Sequence, residues 1–276
     1  MPKALTEEAI EGLWRDGFHF PIPGVSEGEA ASYRQQLEAF EAANGGALKG
    51  AHRFKTHLLF KWLSDLVRAP HILDPVEDLI GPDILCWTTH WFIKEANSPS
   101  YVSWHQDNNY WGLDTKKLVS VWIALSPATL ASGCMRMLPG SHLEPVMQHV
   151  DTRAEHNMLT RGQTVPDVDE AATVPVPLKP GQLSLHHPRV VHGSGPNRSG
   201  KRRVGFAIQS YITPAVEQVI GKIWVQTARG TDFGGHHTEA PRTTAEMAPE
   251  DIAFRDMTND ELSKIFYAGA AKKGKY

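Results

Sequence analysis

His105 and Asp107 stand two residues apart in the run Trp104-His105-Gln106-Asp107. Side chains alternate along a strand, so an extended run would send both to one face. An imidazole nitrogen and a carboxylate oxygen could then meet one cation. Taken alone, such a pair is more often an ordinary surface feature than a ligand set. A third donor is needed, and the segment His192-Gly193-Ser194-Gly195-Pro196-Asn197 offers one. Two His and one carboxylate form the set that holds non-haem Fe(II) and leaves positions open for further ligands. His186 and His187 are rivals for the third place, and a hydrogen-bonded core histidine is the commoner role for either.

What favours His192 is Arg203, eleven residues on. With Gly205, Ala207, Gln209 and Tyr211 it would share one face of a strand. A guanidinium turned into a barrel is costly unless a carboxylate meets it. Lys201 and Arg202 read instead as a solvated basic turn. Near the His/Asp pair, Asn108, Asn109 and Tyr110 are polar, and Gln209 would face the same space. Lys55, His57 and Lys94 would add positive charge at the mouth, although plain surface placement is the simpler expectation for Lys55. No long apolar groove is evident, so the surroundings suit a small anionic or zwitterionic substrate.

The elements that must position these residues fall into two regions. The first 82 residues read as helical: Thr6 caps a helix through Trp14, and Ser26-x-x-Glu29 is a capping box for a second, stopped by Asn44-Gly45-Gly46. Gly17–Pro23 is extended. Helices are expected again over His57–Val67 and His71–Leu79. From Ile84 the period shortens to strands: Ile84–Lys94, Tyr101–Gln106, Leu118–Leu125, Cys134–Leu138, Thr173–Leu178, Gln182–His187 and Arg203–Ile212. The expected fold is mainly β, a double-stranded β-helix of the jelly-roll or cupin kind with flanking N-terminal helices. One domain spans 1–276, with a helical flank (1–82), a core (83–213) carrying a polar insertion at 149–172, and a C-terminal extension (214–276). In that extension Gly221–Ala228 reads as a strand, Gly230–Pro249 as loop and Asn259–Ala271 as a helix.

Composition excludes several classes. Hydrophobic residues make up 41% and charged residues 21%, and the net charge is −3, so nothing points to nucleic acid or an anionic membrane. No apolar run is long enough to span a bilayer, and the first residues lack the apolar core of a secretory signal. With two cysteines, a reducing cytoplasm is the expected compartment. The expected partner is a small molecule.

In order and spacing, four stretches resemble the phytanoyl-CoA dioxygenase family: Trp104–Asp107; Val121-Trp122-Ile123-Ala124-Leu125; Gly133 to His142; and His192-Gly193-Ser194 with Asn197 and Arg203. The likeness runs from about Gly17 to Tyr211. It implies a double-stranded β-helix that uses Fe(II), 2-oxoglutarate and O2. By position it implies His105, Asp107 and His192 as iron ligands, Arg203 as the clamp on the distal carboxylate of 2-oxoglutarate, Trp122 in the cosubstrate pocket, and Lys94 close by. Related halogenases lack the carboxylate, so Asp107 favours hydroxylation of a C–H bond with release of succinate and CO2. The bacterial members that hydroxylate aminophosphonates such as 2-aminoethylphosphonate are the nearest in general look; a natural-product or amino-acid-like metabolite, or an acyl-CoA, is the alternative. A cupin-type isomerase or binding module would supply more His on adjoining strands and would not need Arg203.

Overall fold

A computed structural model describes residues 2–114, 117–152, 154–159 and 161–269. The last expected helical residues, 270 and 271, lie outside this set. A large sheet runs in the order Phe18–Pro23, Gln182–His186, Leu118–Ala124, Arg203–Ile212, Ile84–Cys86, Trp224–Arg229 and Thr238–Glu239, with Thr89–Lys94 also paired to Arg203–Ile212. A small sheet runs Val102–His105, His192–Ser194, Met135–Met137 and Val174–Val176. Trp122, Ala124 and Ala207 of the large sheet share an apolar cluster with Met135, Met137 and Val176 of the small one. The two sheets are the walls of a double-stranded β-helix.

The strand Arg203–Ile212 is buried along its whole length, because both of its faces are covered. Val204, Phe206 and Ile208 point to the helices, packing with Leu13, Leu37, Leu63, Leu66 and Val76. Arg203, Ala207 and Gln209 point the other way, into the barrel. Period two thus separates the layers, as expected. It fails at Tyr211. Ser210 has φ 88° and the register with Leu118–Ala124 shifts between Ile208 and Tyr211. This bulge turns Tyr211 to the helical side, where its Oη donates to Val67 O at 2.7 Å.

Local signals account for the flank. Thr6 accepts from Ala9 N, and Ser26 and Glu29 form the reciprocal capping box. The helix expected over His57–Val67 is instead a 3-10 turn, Thr56–Leu58, followed by a short helix, Lys61–Leu66. The break serves side-chain bonds to the sheet: Trp91 Nε1 donates to Thr56 Oγ1 at 2.8 Å, and His57 Nδ1 meets Thr89 Oγ1 at 2.9 Å. The C-terminal helix begins at Pro249, ten residues earlier than the apolar pattern suggested, with Pro in its first turn. Its Leu262, Ile265 and Phe266 pack with Trp87, Trp111, Leu118 and Ile212, so the extension is part of the core. Among the described residues no helix is long and apolar enough to cross a membrane.

Arg202 is not the solvated turn residue expected. Its Nη1 and Nη2 donate to Glu41 at 2.7 and 2.8 Å, its Nε to Glu95 at 2.9 Å, and Leu48 N also donates to Glu41 at 3.0 Å. This fork ties the end of the helix Glu27–Ala43 to the start of the strand that carries Arg203. Burial raises the Glu41 carboxyl, but the Arg202 fork and the Leu48 N–H outweigh it, and the net shift is downward. A lowered carboxyl stabilises the fold above its unfolded value of about 4.3 and loses that contribution as pH falls through the folded value. Glu41→Gln is expected to cost about 2 kcal/mol at pH 7. In urea titrations the gap to wild type should narrow as pH drops below about 4; a gap independent of pH would contradict the pair.

Candidate active site

His105 and His192 are cross-strand neighbours in the small sheet, with ring centroids 4.1 Å apart. Each Nδ1 faces a carbonyl two residues upstream, His105 on Ser103 O at 2.8 Å and His192 on Val190 O at 3.0 Å. A carbonyl accepts only, so Nδ1 carries the proton and both Nε2 lone pairs are free. Asp107 is not on the strand. The strand ends at His105, and Asp107 sits in a turn with φ −57° and ψ −44°. Gln106, fully buried, holds that turn by donating to Arg189 O at 2.7 Å and accepting from Met147 N at 2.8 Å. Asp107 Oδ1 lies 3.3 Å from His105 Nε2, and Oδ2 lies 3.9 Å from His192 Nε2. One donor atom from each of the three falls within 4.8 Å of the others, and all three residues are buried. Burial pushes the Asp107 carboxyl up, but the imidazoles around it, His192 foremost, outweigh this and hold it well below the usual range. Burial, then His105, pulls His192 down to about 3. One carboxylate and two imidazoles make a donor set that suits a divalent cation.

Of the two rivals, His186 lines the same space, with Nε2 3.7 Å from Asp107 Oδ2. Neither of its ring nitrogens has a hydrogen bond among the described residues, so no carbonyl orients it. His187 faces away, packing on Trp14 and His142.

The three donors border a cavity of about 440 Å³ with Arg203, Trp122, Ser194 and Gln209 in its wall. Arg203 is 1% exposed and lies 5.4 Å from the Trp122 ring centroid. It donates to Gly133 O, yet its Nε has no partner among the described residues. Burial lowers Arg203 to about 10. Lys94, paired with Arg203 across adjacent strands, is held on Ser194 and on Gly195 O; burial, then Arg203, pulls it to about 6. Trp122 can lie here because Gly205 is opposite: a Cβ there would come within 1.9 Å of its ring. A buried guanidinium without a carboxylate partner, facing this cavity, fits a ligand that carries one.

A second cavity of about 440 Å³ shares His105, Asp107, Phe92 and Gln209 with the first. Its other walls are Phe54, His90, Tyr110, Trp111, Met158, Leu159, Arg161 and Phe266.

The family model described as phytanoyl-CoA dioxygenase matches residues 14–205. The chain belongs to the phytanoyl-CoA dioxygenase family. The family takes its name from a dioxygenase. A probable alpha-ketoglutarate-dependent hypophosphite dioxygenase of Stutzerimonas stutzeri is 32% identical over 179 residues, covering 61% of each protein. The peroxisomal phytanoyl-CoA dioxygenase of Bos taurus is 30% identical, covering 47% of this chain and 40% of its own length. The chain thus aligns with roughly half the length of these curated relatives. A solved non-heme monooxygenase, ThoJ in its apo form, is 35% identical with a TM-score of 0.83, covering 94% of this chain and 97% of that one.

Within this family member the cavities correct several expectations. Tyr110 and Gln209 line the second cavity, but Asn108 and Asn109 do not. The chain winds into a short helix, Asn108–Trp111, that turns Asn109 to solvent and Asn108 Nδ2 onto Leu113 O. Lys55, His57 and Lys94 line neither cavity and do not charge the mouth. Lys55 is neither at the surface nor at the site: it is fully buried, and burial brings it to about 7. The amide-rich pocket expected is largely aromatic and aliphatic. Met158, Leu159 and Arg161 come from the polar insertion at 149–172. Phe266 comes from the C-terminal helix, whose apolar stripe pointed to packing alone.

Proposed function

We propose that the protein hydroxylates a C–H bond of a small anionic metabolite, with His105, Asp107 and His192 holding Fe(II) and Arg203 holding 2-oxoglutarate. The observation that carries this is the wall common to the three donors and the Arg203 cavity. When bound, iron and 2-oxoglutarate supply the oxidative chemistry, in which one atom of O2 enters the substrate and the other enters succinate as CO2 is lost. The chain's own groups do the positioning. Ser103 O and Val190 O fix the two imidazoles in the tautomer that presents Nε2. Gln106 holds Asp107 in its turn. Arg203 would clamp the carboxylate farthest from the metal, while Trp122 and Met135 wall that end from water, and Lys94 holds Ser194 of the same wall in place. The substrate would occupy the second cavity, with the bond to be oxidised near His105 and Asp107. A phosphonate is one anion that suits this reading, and the Stutzerimonas relative is named for a phosphorus oxyanion.

The test is 2-oxoglutarate turnover. Purified protein with Fe(II), ascorbate and 2-oxoglutarate is expected to release succinate, and a panel of phosphonates, amino acids and acyl-CoAs should contain members that accelerate it. No succinate above the metal-free control would refute the assignment.

A further inference from the structure

Among the described residues the second cavity contains one strong cation, Arg161, in a wall that is otherwise mostly apolar. Its side chain is 17% exposed. Nη1 donates to Ala268 O at 3.2 Å, which fixes the guanidinium against the end of the C-terminal helix. Nε has no hydrogen bond among the described residues. Asp151 Oδ1 lies 3.9 Å from Nε, beyond hydrogen-bond reach, and already accepts from Gln163 Nε2 at 2.6 Å. A mostly buried guanidinium without a close anion is poised to accept one. The same wall also carries His105 and Asp107 and the apolar Phe54, Trp111, Leu159 and Phe266. A ligand matched to this wall therefore joins an anion to an apolar body.

Resting on the function proposed above, we propose that Arg161 is the substrate-recognition residue. It binds the oxyanion head, carboxylate or phosphonate, of an amphiphilic substrate whose body lies on Phe54, Trp111 and Phe266. Arg161 belongs to the insertion, and Phe266 and Ala268 lie beyond residue 205, where the family match ends. The C-terminal helix is thus a specificity element: it supplies one wall and the carbonyl that orients the guanidinium.

Calorimetric titration of the full-length protein, kept anaerobic with Fe(II) and saturating 2-oxoglutarate, tests this with three matched probes. They are 3-phenylpropanoate, 2-phenylethylphosphonate and the uncharged 3-phenylpropanamide. At least one anion is expected to bind about tenfold or more tightly than the amide. Arg161→Gln should erase that preference while leaving the affinity for 2-oxoglutarate unchanged, and Arg161→Lys, which keeps charge without the fork, should fall between. Phe266→Ala should weaken all three probes by a similar factor and preserve the ratio. The better anion identifies the head group. An amide as tight as both anions, a preference that survives Arg161→Gln, or no probe binding at all would overturn the proposal. Should Arg161→Gln fail to fold, the wild-type ratio and Arg161→Lys decide. Failure of the wild type to bind 2-oxoglutarate with Fe(II) would instead refute the function on which this inference rests.

Discussion

Asp107→Ala is expected to lower succinate formation by more than about a hundredfold, beyond the upper end of what losing a group that merely orients a ligand costs. Asp107 supplies the only carboxylate of the cluster and therefore its only full negative charge. A divalent cation in so buried a place needs that charge, because two neutral imidazoles do not offset its loss of water. The same substitution should weaken metal binding, measured by titration of Fe(II) or Co(II) under argon. The fold should persist: Asp107 lies in a turn whose backbone is held by Asn108 N on Pro188 O at 3.0 Å and Tyr110 N on Asp107 O at 3.0 Å, neither needing its side chain. Full activity in this variant would remove Asp107 from the ligand set. His186, 3.7 Å away, would then be the group to test.

Arg203→Ala is expected to raise the Michaelis constant for 2-oxoglutarate by about a hundredfold, the value of a charge-assisted pair in a dry site. Turnover at saturating cosubstrate should fall much less. Arg203→Lys should recover little, since an ammonium cannot reproduce a planar fork aimed past Trp122. Arg202 cannot take over, because Glu41 and Glu95 hold its nitrogens. An unchanged constant would remove Arg203 from the cosubstrate site.

Much of this was legible in the sequence because the signals are local. The Ser26–Glu29 box, the alternation along Arg203–Gln209 and the ordered spacing of His105, Asp107, His192 and Arg203 each follow from residue type and period. What escaped depends on contacts far apart in the chain. Nothing in the residue type of Ser210 announces a φ of 88°, yet that bulge reverses the side of Tyr211. Asp107 reads as a strand residue until Gln106 is seen bonding to residues 41 and 83 positions away. Lys55 carries a surface residue's name, but the turn at Thr56–Leu58 folds it under the sheet. Arg161 and Phe266 meet only because the last helix packs across the barrel mouth.

Gln209 and Phe92 stand in the wall of both cavities, as do His105 and Asp107. Two ligands that press on the same side chains exchange free energy, and the exchange is reciprocal: whatever factor 2-oxoglutarate applies to substrate affinity, substrate applies to 2-oxoglutarate. Gln209, whose Oε1 has no hydrogen bond among the described residues, can turn toward either occupant without breaking one of its own. An occupant of either cavity would therefore press on side chains that an occupant of the other also touches.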